Sequence, residues 1–317
     1  MLNASGVLRQ GLMGLSKSER VRDLVERAPM SRDVVRRFVA GDLTADAVHA
    51  AGSLDLTGRM STIDHLGEDT LELRQAQDTR DAYLSLLSAL GEAGLTQGGK
   101  AEVSLKLSAL GQALPSDGAK IALEHAREIC QGAANAGTTV TLDMEDHTTT
   151  DATLEALREL RQDFPSVGAV LQAYLHRTEA DCRDLAREGS RVRLCKGAYE
   201  EPESVAFQGK ADVDRAFVRC LKVLMAGQGY PMIASHDPRL VEIAGALAHK
   251  QDRAADTFEY QMLYGIRPEE QKRIADRGDQ MRVYIPYGQE WYGYLIRRMA
   301  ERPANTMFFL RSLATKG

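Results

Sequence analysis

From about residue 60 onward, short runs of β-branched or alternating apolar residues take turns with longer amphipathic stretches. The runs are 61–66 (STIDHL), 103–108 (VSLKLS), 139–145 (TVTLDME), 168–174 (GAVLQAY), 191–198 (RVRLCKGA), 232–236 (MIASH), 257–263 (TFEYQML) and 281–287 (MRVYIPY). Each reads as a strand. The stretches 71–94, 119–136, 152–163, 178–188, 209–228, 238–249 and 268–277 are amphipathic and read as helices, and 289–301 supplies a helix after the last strand. Eight strand–helix units in a row predict an α/β protein, a (β/α)8 barrel on a parallel sheet. A doubly wound open sheet is the alternative, but no GxGxxG follows the first strand, which counts against a dinucleotide-binding version of it. Residues 17–52 read as short helices, with Ser16 or Ser18 able to cap the first and Ser31 preceding DVVRRFVA. Residues 1–55 are therefore expected to be an N-terminal helical extension and 56–317 the barrel.

Alternation within the strands sorts their side chains onto two faces. In VSLKLS, Val103, Leu105 and Leu107 oppose Ser104, Lys106 and Ser108; in TVTLDME, Val140, Leu142 and Met144 oppose Thr141, Asp143 and Glu145. The aliphatic face suits packing against the helices. The polar face then points into the barrel and gathers toward the C-terminal strand ends, where barrel enzymes carry their chemistry.

Composition narrows the partners. Forty basic against forty-five acidic residues give a net charge of −5, which lacks the basic footprint of a nucleic-acid binder. Cys130, Cys182, Cys195 and Cys220 form no CxxC pair and sit near no suitably spaced histidine, so reduced thiols and no metal site are expected. No segment approaches the ~20 apolar residues of a bilayer span, and the first twenty residues lack an unbroken secretory apolar run. A cytoplasmic protein is expected, with contact at a membrane surface left open.

Several residues could carry chemistry. Lys106, inside an aliphatic strand, must bury its stem and find a partner for its ammonium unless it faces solvent. It reads as a Schiff-base nucleophile or as a plain cation for an anion. Arg193 and Lys196 precede Gly197, whose missing side chain would let a flat ligand or a phosphate approach the backbone; surface cations before a turn are the plainer reading. Asp143 and Glu145 could do acid–base work, but anchoring a neighbouring cation is preferred. His236 is a proton carrier, a ligand donor or a core residue, and Gln172 suits the edge of a heterocycle. In WYGYLIRRMAERP, Tyr294, Arg297, Arg298 and Glu301 fall at i, i+3, i+4 and i+7, on one helix face. Paired guanidiniums match a carboxylate or phosphate bidentately, and the position after the last strand is one where barrels bind phosphate. A solvated face with an Arg297–Glu301 pair is the alternative.

The series VSLKLSAL, LDMED, LQAYLHR, RVRLCKGAY, ASHD, FEYQMLYGIR, YIPYG and YLIRRMAER, in that order over most of the chain, resembles the motif series of the flavin-dependent proline dehydrogenases; the chain length is similar to that of the monofunctional bacterial members. The resemblance implies a distorted (β/α)8 barrel that oxidises L-proline to 1-pyrroline-5-carboxylate. Hydride would pass from proline Cδ to N5 of FAD, and electrons to a quinone at a membrane surface, with 1-pyrroline-5-carboxylate dehydrogenase as a downstream partner. By motif, Arg297 and Arg298 are implied to bind the proline carboxylate with Lys106 as a third cation, and with Asp143 they make up the implied catalytic set. Tyr284, Tyr294, Leu263 and Ala198 would wall the ring pocket, with Tyr199 beside it. Gln172, Arg193, Lys196, Gly197, Ala198, His236 and Glu301 would hold FAD, Arg193 near N5. Asp143 would support the cationic cluster, and Glu68 in HLGE would gate the site by pairing with Arg298. Two departures stand out: YGQEWYGY is shorter than in the large bifunctional members, and ASHD carries Asp237 where asparagine is common. Two other readings use the same residues: a Schiff-base lyase or pyridoxal-phosphate enzyme on Lys106 or Lys196, and a non-catalytic binder of small anions.

Overall fold

The computed structural model describes residues 31–187 and 189–301, the side chains of 31–34 and 297–301 excepted. The helix expected from residue 17, with its cap at Ser16 or Ser18, lies outside the described residues. Helices α1 (Ser31–Phe38) and α2 (Thr44–Asp55) precede β1 (Met60–His65). Then follow α3 (Leu73–Glu92), β2 (Ala101–Leu105), α4 (Gly118–Asn135), β3 (Val140–Leu142), α5 (Thr150–Asp163), β4 (Gly168–Gln172), α6 (Thr178–Leu185) and β5 (Arg191–Cys195). The chain continues through α7 (Lys210–Ala226), β6 (Tyr230–Ala234), α8 (Pro238–Lys250), β7 (Glu259–Leu263), α9 (Pro268–Asp276), β8 (Met281–Tyr287) and α10 (Trp291–Glu301). The eight strands close into one parallel barrel in chain order, β1 pairing with both β2 and β8. Closure excludes the open-sheet alternative. Among the described residues no helix is long and apolar enough to cross a membrane.

The helices dock by the stripe their sequences encode. In α3 the buried residues are Ala76, Thr79, Tyr83, Leu86, Leu87 and Leu90, a helical spacing. Tyr83, Leu86, Leu87 and Leu90 join Val103, Leu105, Val140 and Leu142 from the outer strand faces in one core. Each fully buried leucine there contributes roughly 1.5–3 kcal/mol. Local chemistry sets some starts: Pro238 opens α8, and Asp237 accepts the Arg239 amide at 3.1 Å.

Several strands end earlier than their alternation suggests. β2 stops at Leu105 and not Ser108, β3 at Leu142 and not Glu145, β5 at Cys195 and not Ala198. Beyond these points the ladder gives way to isolated bonds, from the Asp143 amide to Leu105 O (2.8 Å) and the Tyr174 amide to Lys196 O (2.9 Å). Ser108–Leu110 turns as a short 3-10 helix. Pairing fails here because the chain must spread over the barrel mouth to reach its helices. Lys106 is consequently not a mid-strand residue; it is the first residue past the strand.

Most barrels fill their interior with branched aliphatic side chains. This one places a charged network there. Arg191 of β5 pairs with Glu102 of β2 at 2.6 Å, and Arg282 of β8 with Glu259 of β7 at 2.8 Å. Thr62 and Thr141 donate to Glu102 at 2.9 and 3.1 Å. Strands β2 and β5 are not neighbours in the sheet, so the Arg191–Glu102 pair runs across the interior. Burial alone would raise the Glu102 carboxyl, but Arg191, Arg282 and Arg193 outweigh it and hold the group at about 2.

Candidate active site

The polar faces of β1, β2, β3, β5 and β8 converge at the C-terminal end of the barrel. Asp64 lies on the inward face of β1, Lys106 just past β2, Asp143 just past β3, Arg193 within β5 and Tyr284 within β8. Lys106 donates to Asp64 Oδ2 at 2.8 Å. The Tyr284 hydroxyl donates to Asp143 Oδ2 at 2.6 Å, and Arg193 Nη1 donates to Asp143 Oδ1 at 2.7 Å. Arg193 also donates to Ser104 Oγ (Nη1, 3.0 Å) and to Gln261 Oε1 (Nε, 2.6 Å). Its guanidinium carbon lies 5.3 Å from the Tyr284 ring centroid. The sequence therefore singled out Lys106, Asp143, Arg193 and Tyr284 from separate motifs, and the barrel brings them into one cluster.

Electrostatics fix the protonation states. Burial alone would lower the Lys106 ammonium, but Asp64 and then Asp143 outweigh it and hold it well above its ordinary value. Burial raises the Asp64 carboxyl, with Lys106 opposing and Asp143 adding to the rise. Burial, then Asp143 and Asp64, push the Tyr284 phenol far up, so it stays a donor. A lysine held protonated is a poor amine nucleophile, which counts against the Schiff-base reading. Asp143 works as the anchor of Arg193 and Tyr284. Glu145 accepts from the Ser108 amide (3.2 Å) and hydroxyl (2.5 Å), which holds the turn after β2.

A second group lies along the exits of β4 to β7. Gln172 is buried and donates to Glu145 O at 2.7 Å. Lys196 pairs with Asp214 at 2.5 Å and sits 3.6 Å from Asp237, so it too is compensated. Gly197 has φ +106°, and a Cβ there would stand 2.3 Å from the Tyr174 ring. Gly197→Ala should therefore lower stability by about 1–3 kcal/mol, read as a shift in the thermal unfolding midpoint; an unshifted midpoint would show the turn tolerates a side chain. Ala198 and Tyr199 follow, half-buried. His236 accepts the Leu263 amide on Nε2 at 3.0 Å, which assigns the Nδ1–H tautomer, and Arg267 donates to its carbonyl at 2.8 Å.

The remaining expected residues fall beside these groups. Tyr294 is buried in a satellite apolar cluster with Val35, Phe38, Leu66 and Leu295, against which Leu263 packs. Glu68 is half-buried in the loop after β1 and acts electrostatically on Lys106. The backbone of α10 carries Arg297, Arg298 and Glu301, whose side chains lie outside the described residues, as does the Glu68–Arg298 gate.

Sequence reasoning passed over Asp64, Glu102, Gln261 and Arg282. Asp64 was within reach: Thr62 and Asp64 alternate with Ile63 as Lys106 alternates with Leu105. The partners of Glu102 sit on strands far away in sequence, and no local signal announces them.

The chain is similar to known proteins along most of its length. The family model described as proline dehydrogenase matches residues 47–311. Proline dehydrogenase 1 of Bacillus subtilis (strain 168) is 37% identical over 310 residues, covering 98% of this chain and 100% of that protein. Proline dehydrogenase of Deinococcus radiodurans is 36% identical over 307 residues, covering 96% and 97%. Among solved structures, proline utilization A (PutA) from Bdellovibrio bacteriovorus inactivated by N-propargylglycine superposes with a TM-score of 0.78 at 28% identity over 86% of this chain, which spans 33% of that one. Motif order, barrel topology and near-complete coverage of the relatives agree: the chain belongs to the proline dehydrogenase family.

Proposed function

We propose that the protein oxidises L-proline to 1-pyrroline-5-carboxylate with bound FAD, and that electrons leave to a quinone, with docking at the inner face of a membrane. The carrying observation is the Lys106–Asp64 and Tyr284–Asp143–Arg193 cluster at the barrel mouth, in a chain matched across its length by proline dehydrogenases. Bound FAD would supply the oxidation by accepting the hydride from proline Cδ.

The residues present fit such a cofactor. Arg193 is buried, and its Nη2 has no hydrogen-bond acceptor among the described residues, Glu102 lying 3.7 Å away. Lys196 suits a phosphate, whereas the space that a side chain at Gly197 would take is filled by the Tyr174 ring and is not left open to a ligand; Gln172 and His236 suit the edges of a heterocycle. Arg193, held by Asp143 and Gln261, would offer a fixed positive charge to developing negative charge, with no reorganisation at the moment of reaction.

Proline is a zwitterion, so its carboxylate needs a cationic clamp before its ring can be oriented. Lys106 with Arg297 and Arg298 fill that role. Tyr284, Tyr294, Leu263, Ala198 and Tyr199 would border the ring, and Glu68 would close the site through Arg298. The product would pass to a 1-pyrroline-5-carboxylate dehydrogenase.

The test is direct. Purified protein should carry flavin absorbance that bleaches anaerobically with L-proline; a colourless protein that FAD cannot reconstitute would refute the reading. For the clamp, Arg297→Ala or Arg298→Met should raise KM for proline roughly tenfold to a hundredfold, the loss of one charge-assisted bond, while flavin stays bound. Wild-type KM in both variants would remove these arginines from the substrate site.

A further inference from the structure

We infer that Asp64 is a positioning residue that keeps Lys106 a cation at the barrel mouth, and through it sets the pH range over which the substrate carboxylate binds. The inference rests on the proposed oxidation of proline. Asp64 itself lies against Lys106.

The geometry leaves Asp64 one strong partner. It is 1% exposed on the inward face of β1. Lys106 Nζ lies 2.8 Å from its Oδ2. Two hydroxyls also come near: Tyr83 gives its proton to Ser104 O at 2.7 Å and accepts the His65 amide at 3.1 Å, so its 3.2 Å approach to Asp64 is a shared contact, and Tyr284, which also acts on Asp64, gives its proton to Asp143 at 2.6 Å.

The groups around Lys106 point the same way. Asp143, just past β3, is taken up by Ser104, Arg193 and Tyr284. Glu145, past β3, is taken up by Ser108. Glu68, from the loop after β1, and His65, beside Asp64, feel the ammonium electrostatically, and Tyr284 of β8 carries no charge. Among the described residues Asp64 is thus the carboxylate in hydrogen-bond contact with Lys106. Without it, burial would act on the ammonium against the weaker pull of Asp143 and Glu68, and an opposite charge at contact typically moves a pKa by about 1–3 units. A neutral Lys106 would no longer attract a carboxylate.

Asp64→Asn keeps the shape and removes the charge. KM and kcat for proline are measured separately from pH 6 to 10 on flavin-loaded protein. Wild-type Lys106 stays protonated across this range, so kcat/KM of the variant should fall away from the wild-type curve toward the upper end of the range as the pKa of its ammonium drops by about 1–3 units, the loss carried by KM, with kcat at saturating proline changed far less. An unmoved profile overturns the inference. So does a collapse of kcat with KM unmoved, because Asp64 would then act on the reacting atoms.

A second measurement guards against misfolding. Lys106→Met strands Asp64 as a buried carboxylate whose protonated form the fold prefers. The thermal midpoint of that variant should therefore fall relative to wild type as pH rises, and Asp64→Asn in the same chain should restore it. A pH-independent deficit, unrepaired by the second substitution, overturns the pairing. Wild-type flavin that proline does not bleach would instead sink the functional proposal, while the unfolding comparison would still decide the Asp64–Lys106 pair.

Discussion

Glu102→Gln is expected to lower the stability of the folded protein by about 3–5 kcal/mol, with a fall in melting temperature on the order of 10 °C. The residue is 1% exposed and faces Arg191 at 2.6 Å, Arg193 at 3.7 Å and Arg282 at 4.0 Å. Glutamine keeps the volume but leaves these guanidiniums with too little negative charge in a medium that solvates them poorly. A leucine in its place would keep the same uncompensated cations, so apolar repacking of this one site is no remedy.

The same residue predicts an acid limb. Its folded value of about 2 lies below the ordinary 4.5. A carboxyl depressed on folding contributes stability that is present above the ordinary value and lost as pH falls toward the folded one, here roughly 3 kcal/mol in all. Asp64 and Glu145, raised on folding, act in the opposite sense and offset part of that loss. Urea unfolding from pH 7 down to 3 should show wild type weakening toward the acid end and Glu102→Gln weaker throughout but with a shallower slope. Equal midpoints for the two proteins at neutral pH would show that the arginines find other compensation.

Arg193→Met is expected to slow proline-driven flavin reduction by a factor on the order of 10² to 10³, the usual loss when a preorganised charge is removed from a site of developing charge. KM should change less, because among the described residues Arg193 contacts Gln261, Ser104 and Asp143 and not Lys106. Flavin content should fall as well. Arg193→Lys should not rescue the rate: one ammonium cannot span three acceptors held by a planar fork. Anaerobic stopped-flow bleaching measures the first effect and the flavin-to-protein absorbance ratio the second. Bleaching at the wild-type rate in the methionine variant would remove Arg193 from the reaction.

Much of this site was legible because barrel strands report their faces locally. Each strand's period-two alternation marks which residues turn inward, and the C-terminal end of a strand marks which of them reach the mouth. Lys106, Asp143 and Arg193 follow from that rule, and Tyr284 from the motif resemblance; the closed sheet then brings all four together. The helices were legible for the same kind of reason, since a stripe such as Ala76–Tyr83–Leu90 is written every three or four residues.

Tertiary structure alone decided the pairings. Lys106 bonds to Asp64 42 residues away, Arg193 to Ser104 89 away and to Gln261 68 away, and Tyr284 to Asp143 141 away. Coulomb energy depends on distance in space and on burial, and neither is encoded in spacing along the chain. For that reason Lys106 kept both a nucleophilic and a cationic reading until its carboxylate partner was in view. It is also why Glu102, unremarked in its own strand, turns out to hold arginines from two others. Local pattern determined which side chains turn inward; closure of the barrel determined their partners, their charges and their possible chemistry.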